Sequence, residues 1–128
     1  MRKRGGGMIF NPNVMAAAGG GGAVVGTYTG DGSSSRTIDF GVAVEMVMIV
    51  GQSDNNDLQR ATAVASSPNG RCFTERVRVG SSSNQYDTNY STATFNGTCV
   101  TFSGLSSYML YAINKANITY HYIAIPKA

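Results

Sequence analysis

Thr92-Ala93-Thr94-Phe95-Asn96-Gly97-Thr98-Cys99-Val100-Thr101-Phe102 is the stretch whose reading decides the fold. Apolar and hydroxylated residues alternate on both sides of Asn96-Gly97, a dipeptide that readily adopts the positive φ of a two-residue hairpin turn. The same period of two continues outward in both directions, while helical periodicity is absent after Gly26.

Upstream, Val24 to Thr29 reads as a strand ending in a turn at Gly30-Asp31-Gly32-Ser33. Arg36 to Phe40 alternates cleanly, with Ile38 and Phe40 on the buried side. Val44 to Val50 is apolar on both parities except at Glu45, as expected of a central strand covered on both faces. A polar loop at Ser53 to Asp57, a weaker strand at Leu58 to Ala65 and a breaker at Ser66-Ser67-Pro68-Asn69-Gly70 follow. In the next strand Phe73, Val77 and Val79 share one face, so Thr74, Arg76 and Arg78 are expected to face out. Gly80 to Tyr90 is the longest irregular stretch. Downstream of the hairpin, Tyr108 to Ile113 and Ile118 to Ile125 read as a closing strand pair around a turn at Asn114 to Asn117. Eight or nine short, regularly spaced strands indicate an antiparallel sandwich or barrel. The expectation is an all-β domain over residues 24–128, a jelly-roll-like β-sandwich of about eight strands.

Residues 1–23 have a different character and are expected to form an extended arm. Three bases (Arg2, Lys3, Arg4) precede a glycine run, an apolar anchor (Met8, Ile9, Phe10), an Asn-Pro-Asn turn and a second glycine run at Gly19 to Gly22. Glycine runs are costly to order without a partner, so arm and anchor are candidates for attachment to another protein. Fully extended, 22 such residues span on the order of 70 Å. Ten bases in the chain, less the three in the arm, leave seven against seven acids, so the body is neutral. The pI near 9.0 therefore implies no nucleic-acid-binding face, and no nucleic-acid partner is expected. MRKR resembles the start of a signal peptide, but glycines and Asn-Pro-Asn replace the apolar run that must follow, so no secretion signal is read here. No stretch is long and apolar enough to span a membrane, and no membrane partner is expected.

Chemistry is sparse. His121 is the chain's single histidine and lies mid-strand between two tyrosines, where a structural role is expected. Cys72 and Cys99 lack metal-ligand spacing and read as buried free thiols. Asp54-Asn55-Asn56-Asp57 lacks the alternating ligand spacing and glycine of a calcium loop. Neither a nucleophile elbow nor a phosphate loop is present, and the seven acids are scattered. No catalytic residue, metal or cofactor is expected. One surface stands out: Tyr86 and Tyr90, with Asp87 and Asn89 between and beside them, combine aromatic faces with hydrogen-bonding groups suited to sugar rings.

Two stretches carry a family resemblance. Gly26-Thr27-Tyr28-Thr29-Gly30-Asp31-Gly32, continuing to Arg36-Thr37-Ile38, resembles the opening of a β-sandwich module of tailed-bacteriophage virion surface proteins, found in tail-fibre tips and capsid decoration. Leu110 to Asn117 followed by Ile118-Thr119-Tyr120-His121-Tyr122-Ile123-Ala124-Ile125 resembles its closing strand pair, and Phe95-Asn96-Gly97 to Gly104 the hairpin before it. After Phe40-Gly41 the module has an aromatic residue, a proline and a lysine; Val42-Ala43-Val44-Glu45 stand here instead. The resemblance implies a structural protein of the virion, made in the host cytoplasm, homotrimeric and without catalytic residues. A capsid decoration or head fibre anchored by its arm is the first expectation, because one arm and one domain leave no shaft. A tail-fibre module for host attachment through surface glycans is the alternative, and a depolymerase-type enzyme a remote one.

Overall fold

A computed structural model describes residues 22–53, 58–79 and 84–128. The arm and its candidate anchors Arg2, Lys3, Arg4, Met8, Ile9 and Phe10 lie outside the described residues, as does the Asp54 to Asp57 loop. The chain is all-β. Eight antiparallel strands run as β1 (Val24–Thr29), β2 (Arg36–Asp39), β3 (Val44–Ser53), β4 (Leu58–Ser66), β5 (Arg71–Val79), β6 (Asn84–Asn96), β7 (Cys99–Ser103) and β8 (Thr119–Pro126). They lie side by side in one sheet in the order β1-β8-β3-β4-β5-β6-β7-β2, which curls into a half-barrel. The described residues thus form one curled layer, where a sandwich would place two stacked sheets.

The hairpin reading holds: Asn96 faces Cys99 across β6 and β7, and Gly97 takes φ 61°. The two turn residues are Gly97 and Thr98, one position later than the expected Asn96-Gly97; with only Gly97 at positive φ, the turn has glycine first in the manner of type II′. Two other segments differ from expectation. Ser107–Ile113 is a short helix, α1, in place of the strand expected over Tyr108 to Ile113; it packs across the inner side of β3 to β6. Asn84 to Tyr90, read as irregular, is the first half of the longest strand.

The concave side holds the core. Ala61, Ala63 and Ala65 of β4, with Cys72, Ala93 and Ala124, are all buried. Side chains this small leave room for α1, whose Met109, Ala112 and Ile113 fill the concavity beside Val47, Ile49, Val100 and Phe102. On β5 the expected parity is inverted. Cys72, Thr74 and Arg76 point inward, and Phe73 and Val79 are exposed. The inward Arg76 is paired: its Nε and Nη2 donate to Asp87 Oδ2 at 3.1 and 2.6 Å, and its guanidinium lies 5.0 Å from the Tyr111 ring centre. Partners of this kind offset the desolvation of a buried arginine.

A bulge explains why the buried residues of β3 change parity. Val44 faces Pro126 but Met46 already faces Ile125, so one extra residue enters β3 and the side-chain pattern flips. Beyond the flip Val47 and Ile49 are 1% exposed, while Met46 and Met48 are each 42% exposed. The strand is central in the sheet, yet the described residues cover only one of its faces.

Candidate functional site

The two stretches that carry the family resemblance meet in one clasp around the buried Asn114 and Tyr120. Tyr28 donates its hydroxyl to the Ile113 carbonyl at 2.6 Å, and its ring stacks on Tyr120 at 5.2 Å. The Tyr120 hydroxyl accepts from Lys115 N–H and sits 2.8 Å from the Tyr111 carbonyl. Asn114 is fully buried. Its amide nitrogen donates to Asp31 Oδ1 and the Ser33 carbonyl, and its Oδ1 accepts from Asp31 N–H and Arg36 Nη1. Arg36 in turn lies over the Tyr28 ring and donates to the Thr29 carbonyl. With both ends of the amide occupied, the clasp pins the β1–β2 loop to the end of α1 and leaves no polar atom of Asn114 facing a ligand. Burial pushes the Tyr120 phenol up to about 12 and the Tyr28 phenol higher still, with each other's proximity adding to the latter. The Ser33 N–H and then the Asn114 amide hold Asp31 below the usual carboxylate range.

The open chemistry is on the convex side. Cross-strand partners place Val25 beside Ile123, Ile123 beside Met48, Met48 beside Val64, Val64 beside Phe73 and Phe73 beside Tyr90. One apolar row therefore crosses six adjacent strands, about 24 Å at normal strand spacing. Ile125 and Met46 extend it in the next row. Shallow depressions flank this end, one lined by Val25, Thr27, His121 and Ile123 among others, the second by Glu45, Met46, Ser66, Pro68 and Ile125. The row changes character along its length. From β1 to β3 it is aliphatic and thioether; on β5 and β6 it is aromatic and charged.

At the aromatic end Phe73, Tyr90 and Tyr86 are 56%, 59% and 61% exposed, more than any other large hydrophobic side chain among the described residues. Phe73 and Tyr90 lie 6.3 Å apart, and the Arg71 guanidinium sits 4.9 Å from the Tyr90 ring centre. The Tyr86 hydroxyl donates to Glu75 Oε2 at 3.1 Å, and that carboxylate holds the phenol's proton so that its pKa is raised. Of the four residues singled out for sugar contact, the structure brings together Tyr86 and Tyr90 on this face. Asp87 and Asn89 alternate to the opposite side, where Asp87 is committed to Arg76. Phe73, Arg71 and Glu75 take their places; only the β5–β6 pairing, which the loop-like composition of Gly80 to Tyr90 conceals, brings them to this face.

His121 is exposed on the convex side, between Thr27 and Val50 in register. Both cysteines are free; Cys72 is buried, which pushes its thiol up to about 12, and Cys99 is half-buried. Among the described residues no three His, Cys, Asp or Glu side chains converge as metal ligands, and no helix is long and apolar enough to cross a membrane. Comparison with family models, with curated proteins and with solved structures yields no match.

Proposed function

We propose that the chain is a non-enzymatic structural component of a tailed-bacteriophage virion, a decoration or head-fibre-like protein that assembles as a homotrimer. The resemblance of the Gly26 to Ile38 and Leu110 to Ile125 stretches supports the virion part of this reading, and the face of β3 that the described residues leave open supports the assembly part: Met46 and Met48, with Val25, Ile123 and Ile125 beside them, are two-fifths exposed or more. Fully burying such a side chain contributes roughly 1.5–3 kcal/mol. The part still exposed on these five is therefore worth about 5 kcal/mol per copy before association costs. Neighbouring copies supply the second apolar layer that a sandwich has within one chain.

The arm attaches the trimer to other virion proteins. Its three bases meet an acidic surface and Met8, Ile9 and Phe10 seat in a pocket, contributing on the order of 4–8 kcal/mol before the glycines are ordered. The test is deletion of residues 1–22. The truncated protein should stay folded and trimeric in light scattering but fail to join particles; normal incorporation, or a monomer at micromolar concentration for the full chain, refutes the reading.

A further inference from the structure

We propose that the aromatic end of the convex face, built from Phe73, Tyr86 and Tyr90 with Arg71 and Glu75, binds an uncharged oligosaccharide laid along β5 and β6. The inference stands independently of the assembly reading.

Ordered pairs along the two strands give the face its pattern. Arg71 faces Thr92, Phe73 faces Tyr90, Glu75 faces Thr88 and Val77 faces Tyr86. Successive outward pairs lie about 7 Å apart along a strand. Hydrogen-bonding and ring-bearing pairs therefore alternate: cation and hydroxyl, two rings, carboxylate and hydroxyl, one ring with a valine. A run of linked sugar rings has the matching alternation, since each ring offers an apolar C–H face for stacking and hydroxyls at its edge. Tyr90 and Tyr86 are four residues apart on one strand, about 13 Å, which separates two stacking positions by a short length of such a chain.

The rings are also held. Arg71 over Tyr90 and the Tyr86–Glu75 hydrogen bond fix two of the three, so less side-chain entropy is lost on binding.

Other occupants fit less well. A second protein copy would have to strip water from Arg71 and Glu75, which is costly unless each finds a partner. Sugar hydroxyls replace that water one hydrogen bond at a time. Single-stranded nucleic acid also stacks on aromatic side chains, but it needs a basic groove. Here a carboxylate sits between the rings and the body carries no net positive charge.

The chain has no tryptophan, so its fluorescence reports tyrosine directly. Cellohexaose, maltohexaose, chitohexaose and a soluble mannan would be titrated against the full chain by fluorescence and calorimetry. At least one should saturate near millimolar concentration per copy. Tyr86→Ala/Tyr90→Ala and Phe73→Ser should each weaken it tenfold or more, with circular dichroism unchanged. Met48→Ser, at the aliphatic end, should leave the affinity as it was. Three results would overturn the proposal: no saturation by any of the four probes, binding that survives the double variant, or oligothymidylate binding that outcompetes the sugars. Shielding of Tyr86 and Tyr90 from iodide in the unliganded protein would do so as well, because it would mean another copy already covers them.

Discussion

The two ends of the convex face are built on one sheet and joined by one row, yet they offer different chemistry. Around β1, β8 and β3 the exposed groups are valine, isoleucine and methionine; around β5 and β6 they are aromatic rings interleaved with Arg71, Glu75 and threonines. Water leaves the first kind of surface at a gain and leaves the second only when its polar groups are repaired. The same face thus suits a protein neighbour at one end and a hydroxyl-rich ligand at the other. The difference teaches that exposure alone does not identify a partner. What decides is whether hydrogen-bonding groups are interleaved with the apolar ones.

The largest effect should come from placing charge at the aliphatic end. Met48→Glu/Ile123→Glu sets two carboxylates side by side on adjacent strands, and assembly would bring their counterparts close. Like-charge juxtaposition costs several kcal/mol, so association should weaken at least a hundredfold and light scattering should find monomers. Phe73→Glu, at the other end, should leave the mass unchanged. If it dissociates the protein too, the whole row is one contact and the comparison fails.

Alkali probes the reverse side of the same strands. Cys72 and Tyr120 are raised to about 12 from ordinary values of 9.0 and 10.0, and both are fully buried. In the unfolded chain they lose their protons first, so the stability they give is complete below about pH 9 and is lost as pH rises toward 12. Thermal melts between pH 7 and 12 should fall only over that window, by roughly several kcal/mol in total at its upper end. Tyr86 should ionise within the folded state, giving up its bond to Glu75 without unfolding the sheet. A midpoint that stays level to pH 12 would contradict this burial.

Gly51→Ala separates folding from assembly. An added methyl at Gly51 meets the Tyr120 ring, with Cδ1 only 2.6 Å away; the ring is held because its hydroxyl accepts from Lys115 N–H and donates toward the Tyr111 and Leu110 carbonyls. Overpacking of this sort costs about 1–3 kcal/mol. Urea unfolding should register that loss, while the folded fraction keeps the wild-type mass because the convex face is untouched. No shift in the urea midpoint would mean that the ring moves aside.

Strand positions were largely legible because alternation and turn residues are local signals: β1, the β6–β7 hairpin and β8 fall where Val24 to Thr29, Asn96-Gly97 and Ile118 to Ile125 place them. The inner and outer assignment of β5 was not. Its inward arginine depends on Asp87 and Tyr111, partners distant in sequence, and Phe73 looked like core because nothing local reveals that its face is open. Helix α1 escaped because a seven-residue segment of Tyr, Met, Leu and Ile is too short for its period to show, and its N-cap Ser106 makes no side-chain hydrogen bond. Half of the aromatic site, Tyr86 and Tyr90, was readable from aromatic rings set among amide and carboxylate side chains; its other half came into view only with the register of β5 against β6.

The smallest effect is the most discriminating between the ends. Tyr86→Phe keeps the ring and removes only the hydroxyl that donates to Glu75. Both groups are exposed, so folding stability should change by less than about 0.5 kcal/mol. Oligomer mass should not change, since the aliphatic end is untouched. Sugar affinity should fall by a few-fold at most, because stacking persists while the freed Glu75 can accept from a sugar hydroxyl instead. A loss as large as that of Tyr86→Ala would place the recognition in the hydroxyl–carboxylate pair and remove stacking as its basis. Comparing the two substitutions by calorimetry on the same saccharide therefore weighs the ring against its polar tip, the feature that sets this end of the face apart from the other.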